Sequence, residues 1–90
     1  MTIRRAKIEI IYDILEAIKD KGGTIKPTHL LYKSNLSHKK MTQYVNELIS
    51  KGFIKIALVD ENKMFSVTEQ GLKYIAEFKR IKEFSDSFGL

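Results

Sequence analysis

The chain has no cysteine, a single proline, and five glycines among its 90 residues. Without thiols, neither a disulfide nor a thiolate-held metal can supplement the hydrophobic core. That absence also fits a cytoplasmic protein, the location we expect. No apolar run approaches the ~20 residues needed to span a bilayer. The opening MTIRRAKIEIIYDIL carries charges throughout, so it reads as a helix and not as a signal peptide. There is no internal repeat, low-complexity segment or linker. A chain of this length makes one small domain, burying about 60–65% of the surface its unfolded form exposes. The 43% of hydrophobic residues can fill a compact core, and 30% charged residues argue for solubility over disorder.

Catalytic chemistry is missing as well. His29 and His38 are the only histidines, and no cluster of carboxylates stands near them in sequence to complete a metal site. Glu9, Asp13, Glu16 and Asp20 are spaced three or four apart, as on the solvated side of a helix. Gly22-Gly23 follows a helix rather than a strand and leads to no lysine-serine pair, so it is not a phosphate loop. No nucleophile sits in a recognisable elbow. We expect no enzyme activity, no cofactor, no metal and no small-molecule ligand.

What the chain does have is segregated positive charge. Residues 1–20 carry four basic and four acidic groups, and residues 56–90 carry five and six. Residues 21–55 carry seven lysines against Glu47 alone, giving +6. Such an imbalance is what docking to a polyanion requires.

The element pattern follows from periodicity and punctuation. A first helix from about Ile3 to Lys21 stops at Gly22-Gly23. Ile8, Ile11, Tyr12, Leu15 and Ile18 share one of its faces, and Ile3, Ile10, Ile14 and Ala17 an adjacent one. Thr24-Ile25-Lys26 is short and extended, and Pro27 opens a second helix to about Lys33. Ser34-Asn35 is a turn, and Ser37 caps the next helix. Phe53–Val59 and Met64–Val67 read as paired strands around an Asp60-Glu61-Asn62-Lys63 turn. Thr68 caps a last helix reaching about Phe88, with Leu72, Ile75 and Ala76 facing its own domain.

The most informative stretch is Ser37–Gly52, SHKKMTQYVNELISKG. On a helical period Met41, Tyr44, Val45 and Leu48 form one stripe, with Ile49 at its edge. Lys39, Gln43, Asn46 and Ser50 lie almost opposite, flanked by Lys40 and Thr42. An ordinary solvated face mixes acids and bases, whereas this one offers cations, amides and hydroxyls with Glu47 as its only acid. These side chains suit base edges and phosphates in a major groove. Ser37, His38, Lys39, Lys40, Thr42 and Gln43 stand at the end that would enter the groove, with Asn46 a turn further on.

Helix, short strand, helix, turn, helix, hairpin, helix is the order of a winged helix-turn-helix domain. KIEIIYDILEAIK at Lys7–Lys19, NLSHKKMTQYVNELISKGFI at Asn35–Ile54 and FSVTEQGLKYIAEF at Phe65–Phe78 cover more than half the chain. Through them it resembles small archaeal winged-helix DNA-binding proteins of the ten-kilodalton type, which dimerise through a C-terminal antiparallel coiled coil. The resemblance implies double-stranded DNA binding by the Ser37–Ser50 helix and a two-fold dimer built on the last helix. Two departures stand out: the last helix is short, and the wing tip holds Asp60 and Glu61, leaving Lys55 and Lys63 as the wing's cations.

The expected architecture is therefore mainly α with a small β-hairpin: a winged helix-turn-helix over residues 1–68 and a dimerisation helix over 69–90. Tyr74, Phe78, Ile81, Ser85 and Phe88 follow a 4-3-4-3 spacing, whose apolar members Tyr74, Phe78, Ile81 and Phe88 form the expected homodimer seam. The same stripe could instead pack on the first helix of its own chain. For function, the reading is a transcriptional regulator or architectural DNA-binding protein. Its rival is a winged-helix module that binds a protein partner through the acidic wing tip and the last helix.

Overall fold

The computed structural model describes residues 6–89. Its elements are α1 (Lys7–Asp20), β1 (Thr24–Ile25), α2 (Pro27–Ser34), α3 (His38–Ser50), β2 (Ile54–Val59), β3 (Asn62–Val67) and α4 (Glu69–Ser87). The chain is mainly α with a β-hairpin, as the sequence indicates. The expected start of the first helix at Ile3 lies outside the described residues.

Each boundary has a local cause. After α1, Gly22 adopts φ 88° and the amide of Gly23 reaches back to the Ile18 carbonyl, closing the helix end in a left-handed turn. Pro27 occupies the first turn of α2, where its missing N–H costs nothing. The Ser37 hydroxyl accepts from the Lys40 amide at 3.2 Å and caps α3. Thr68 caps α4 by accepting from the Gly71 amide at 3.1 Å, and its hydroxyl donates to the Gly52 carbonyl at 2.6 Å. That second bond ties the start of α4 to the end of α3.

The hairpin turn is tighter than the sequence suggests. Asp60 and Glu61 alone make it, both with positive φ (51° and 65°), and Asn62 already pairs with Val59. Two residues with positive φ match the right-handed twist of the flanking strands, so the ladder extends to the tip. Thr24 and Ile25 also pair with Ser66 and Phe65, making a three-stranded antiparallel sheet in the order β1-β3-β2.

Every element contributes to one core: Ile14, Leu15 and Ile18 from α1, Ile25 from β1 and Leu30 from α2 join Met41, Val45 and Leu48 of α3. Ile54, Phe65 and Ile75 complete it. In α1, Ile14 is fully buried and Ile10 and Ala17 pack against the core, so both apolar faces of the helix serve it. One inward face differs from expectation. In α4, Leu72 is 42% exposed and Ala76 is exposed, whereas Gly71 and Ile75 are buried. The helix is rotated toward Tyr74 and Phe78 because Gly71 lets its first turn press against the backbone at Phe53.

Candidate nucleic-acid interface

Alternation along α3 is resolved as a buried stripe and a polar one. Met41, Val45 and Leu48 are buried, with Tyr44 and Ile49 packed at their edges. His38, Lys39, Lys40, Thr42, Gln43, Asn46 and Ser50 are exposed, and Ser37 precedes them, also exposed. The expected contact residues on α3 therefore share one solvent-facing surface. Two of their hydroxyls also serve the helix: Ser37 as the cap, and Thr42 by donating to the His38 carbonyl at 2.8 Å.

A cleft runs along each flank of α3. On the wing side a cavity of about 280 Å³ lies between His38, Thr42, Asn46 and Ile49 of α3 and Ile56, Lys63 and Phe65 of the hairpin. Lys63 sits 5.5 Å above the Phe65 ring, which holds its ammonium beside α3. Lys55 is placed differently. It pairs with Ser66, one residue out of phase with the Ile56–Phe65 pair, so it faces the opposite side of the sheet. The structure thus brings Lys63 to the α3 surface and does not bring Lys55 there. The wing tip between them exposes Leu58 (75%) beside Asp60 and Glu61.

On the other flank, a groove of about 200 Å³ is lined by Lys7, Lys40, Gln43, Tyr44 and Glu47. Lys7 Nζ stands 2.7 Å from Glu47 Oε1. The hydrogen bond and charge of Lys7 hold the Glu47 carboxyl below its usual range, and Glu47 in turn raises the Lys7 ammonium. The single acid of α3 is thereby neutralised by a residue 40 positions away. Sequence spacing carries no signal for such a pair, because only the tertiary packing of α1 brings them together.

The charge of residues 21–55 is also divided more finely than sequence shows. The His29 imidazole is held below its usual pKa by burial and then by Lys21, Lys33 and Lys26. Of the seven lysines, Lys21 and Lys26 line a groove with β1 and His29, and Lys33 of α2 lines another with Asp13 and Glu16 of α1, so three of them lie away from α3. Among the described residues, no group of three histidines or carboxylates is arranged to hold a metal ion, and no helix is long and apolar enough to cross a membrane.

The residues expected at a dimer seam are split. Tyr74 donates to the Ile8 carbonyl at 2.9 Å and meets Phe53 edge-on, and Phe78 stacks on Tyr12 with ring centres 4.4 Å apart. Both are engaged with their own chain. Ile81 and Phe88 stay exposed (58% and 67%), joined by Phe84 at 65%. Phe84 falls outside the 4-3-4-3 spacing, so periodicity does not mark it, yet its ring centre lies 5.0 Å from that of Phe88.

Comparison with known proteins agrees with the fold. The family described as winged helix-turn-helix matches residues 4–86. An uncharacterized protein of Methanocaldococcus jannaschii is 34% identical over 84 residues, spanning 93% of this chain and 80% of that protein. The fold is similar to that of Sso10a-2, a DNA-binding protein from Sulfolobus solfataricus (TM-score 0.78, 19% identity, 93% and 85% of the two chains). It is also similar to F93 from STIV, a winged-helix DNA-binding protein (TM-score 0.75, 17% identity, 89% and 92%). The chain belongs to the winged helix-turn-helix family.

Proposed function

We propose that the protein binds double-stranded DNA as a homodimer, setting α3 of each protomer in a major groove, and acts as a transcriptional regulator or architectural protein. The observation that carries this is the outer face of α3, where Lys39, Lys40, Thr42, Gln43 and Asn46 stand exposed together and the one acid is paired with Lys7. Gln43 and Asn46 offer amides that match the N6 and N7 of adenine, while the lysines and the Ser37 hydroxyl serve phosphates or guanine. Lys63 supplies the wing-side cation. Lys55 faces away from this surface and is left out of the contact set.

The homodimer rests on Ile81, Phe84 and Phe88, a contiguous apolar end of α4 that a lone protomer leaves in water. Ile8, 48% exposed on α1, lines a groove of about 390 Å³ with Phe78 and Ile81 that could receive part of a second copy. No enzymatic step enters this reading. The acidic wing tip and exposed Leu58 favour a second reading, a module that docks a protein partner through its wing. Titrating the protein against a labelled random-sequence duplex across salt separates the two. DNA binding requires a steep loss of affinity with salt, and replacing Lys39, Lys40 and Gln43 with alanine should abolish it. Binding that survives the triple change would remove α3 from the interface.

A further inference from the structure

The recognition surface on α3 leaves one charged feature unexplained, the ion pair that joins it to α1. Lys40, Tyr44 and Glu47 follow each other at four- and three-residue spacing, so they form one line along the flank of α3. Lys7 lies across this line with its ammonium 2.7 Å from Glu47 Oε1, and Lys40 and Gln43 share the same groove. Lys7 remains largely exposed, its side chain 59% accessible. A helix lying in a major groove has a phosphate strand on either side of it. The wing cleft with Lys63 lies on one flank of α3 and the Lys7 groove on the other.

We propose that the groove of Lys7, Lys40, Gln43 and Tyr44 seats a backbone phosphate of the duplex, and that Glu47 is an internal stand-in for that phosphate. In the free protein Glu47 occupies the Lys7 ammonium. On DNA binding, Lys7 exchanges the carboxylate for a phosphate oxygen, so α1 becomes a second contacting element and Glu47 acts as a brake on affinity. This rests on the α3 reading above. The two ends of the pair have opposite signs of effect. Lys7 adds a cation to the footprint, while Glu47 both competes for that cation and repels the strand.

The test is the affinity and salt slope of the full chain on a labelled random-sequence duplex. Lys7→Gln should weaken binding by about threefold to tenfold at low salt and lower the slope by about one. Lys7→Arg should restore both. Glu47→Gln should tighten binding severalfold, and adding it to Lys7→Gln should recover part of that variant's loss. If Glu47→Gln weakens binding as Lys7→Gln does, the pair is only a brace between α1 and α3, and the exchange is wrong. If Lys7→Gln leaves affinity and slope unchanged while Lys40→Gln lowers both, α3 binds DNA and Lys7 is outside the footprint. If neither lysine matters, the α3 reading itself falls, and this inference with it. Unchanged melting temperatures of the variants keep the comparison to binding.

Discussion

At position 71 a hydrogen is all that fits. A Cβ built there would stand 2.5 Å from the Phe53 carbonyl oxygen and 2.7 Å from a methyl of Val67. Backbone on one side cannot rotate away, so Gly71→Ala must push α4 off the hairpin or distort the Gly52–Phe53 turn. We expect a loss of about 2–4 kcal/mol in denaturant unfolding. The neighbouring Tyr12 and Glu16 make a different residue-scale prediction. Tyr12 donates a hydrogen bond to Glu16, which also meets Lys79 at 3.4 Å. The bond from Tyr12, and less so Lys79, holds the Glu16 carboxyl below its usual range, and burial and then Glu16 push the Tyr12 hydroxyl up. Because the folded value of Glu16 is depressed, its contribution is complete above the ordinary carboxylate pKa and is lost as pH falls through the lower folded value. Glu16→Gln should therefore reduce stability near neutrality and flatten the acid side of a melting-temperature profile. An acid limb as steep as the parent's would assign that sensitivity to other carboxylates.

Among the elements, the caps and punctuation were legible in sequence because they are local chemistry. Ser37 and Thr68 sit at N-caps, Pro27 in a first turn and Gly22 past a helix end, each where its side chain or backbone freedom matters. The two faces of α3 were legible too, since helical periodicity sorts them without any knowledge of neighbours. Orientation within the fold was not. Which face of α4 turns inward depends on Gly71 meeting Phe53, and which wing lysine joins α3 depends on which face of the hairpin packs toward that helix. The two-residue turn at Asp60-Glu61, in place of the four-residue loop the sequence suggests, moves the pairing by two and leaves Lys55 and Lys63 on opposite faces either way. Two predictions belong at this scale. Thr68→Ala removes both the cap of α4 and the tie to Gly52, so chemical denaturation should show a loss of about 1–2 kcal/mol. Asp60→Asn with Glu61→Gly places residues that favour positive φ in the turn and should stabilise the hairpin by about 1 kcal/mol. A lower melting temperature would mean that the acids stabilise the tip in some other way.

For the whole molecule, the question is what covers the outer half of α4. Its inner half is anchored by Ile75, Tyr74 and Phe78, whereas Ile81, Phe84 and Phe88 make an apolar end that stays exposed among the described residues. Separating assembly from folding therefore depends on the choice of residue. Phe78→Glu would place a charge against Tyr12 and destabilise the protomer, so it cannot report on a dimer. Ile81→Glu with Phe84→Glu changes only exposed positions and should leave the melting of a protomer nearly intact. In sedimentation the double variant should run as a monomer while the parent runs as a dimer. Losing the dimer should also cost affinity for a site built of two half-sites about one helical turn apart, because the second contact no longer benefits from a high effective concentration. Binding to a single half-site should be almost unaffected. If the double variant keeps the parent's mass, this end of α4 does not hold two copies together. If instead mass falls but affinity for the paired site does not, the protomers bind independently and the dimer has another purpose than spanning the site.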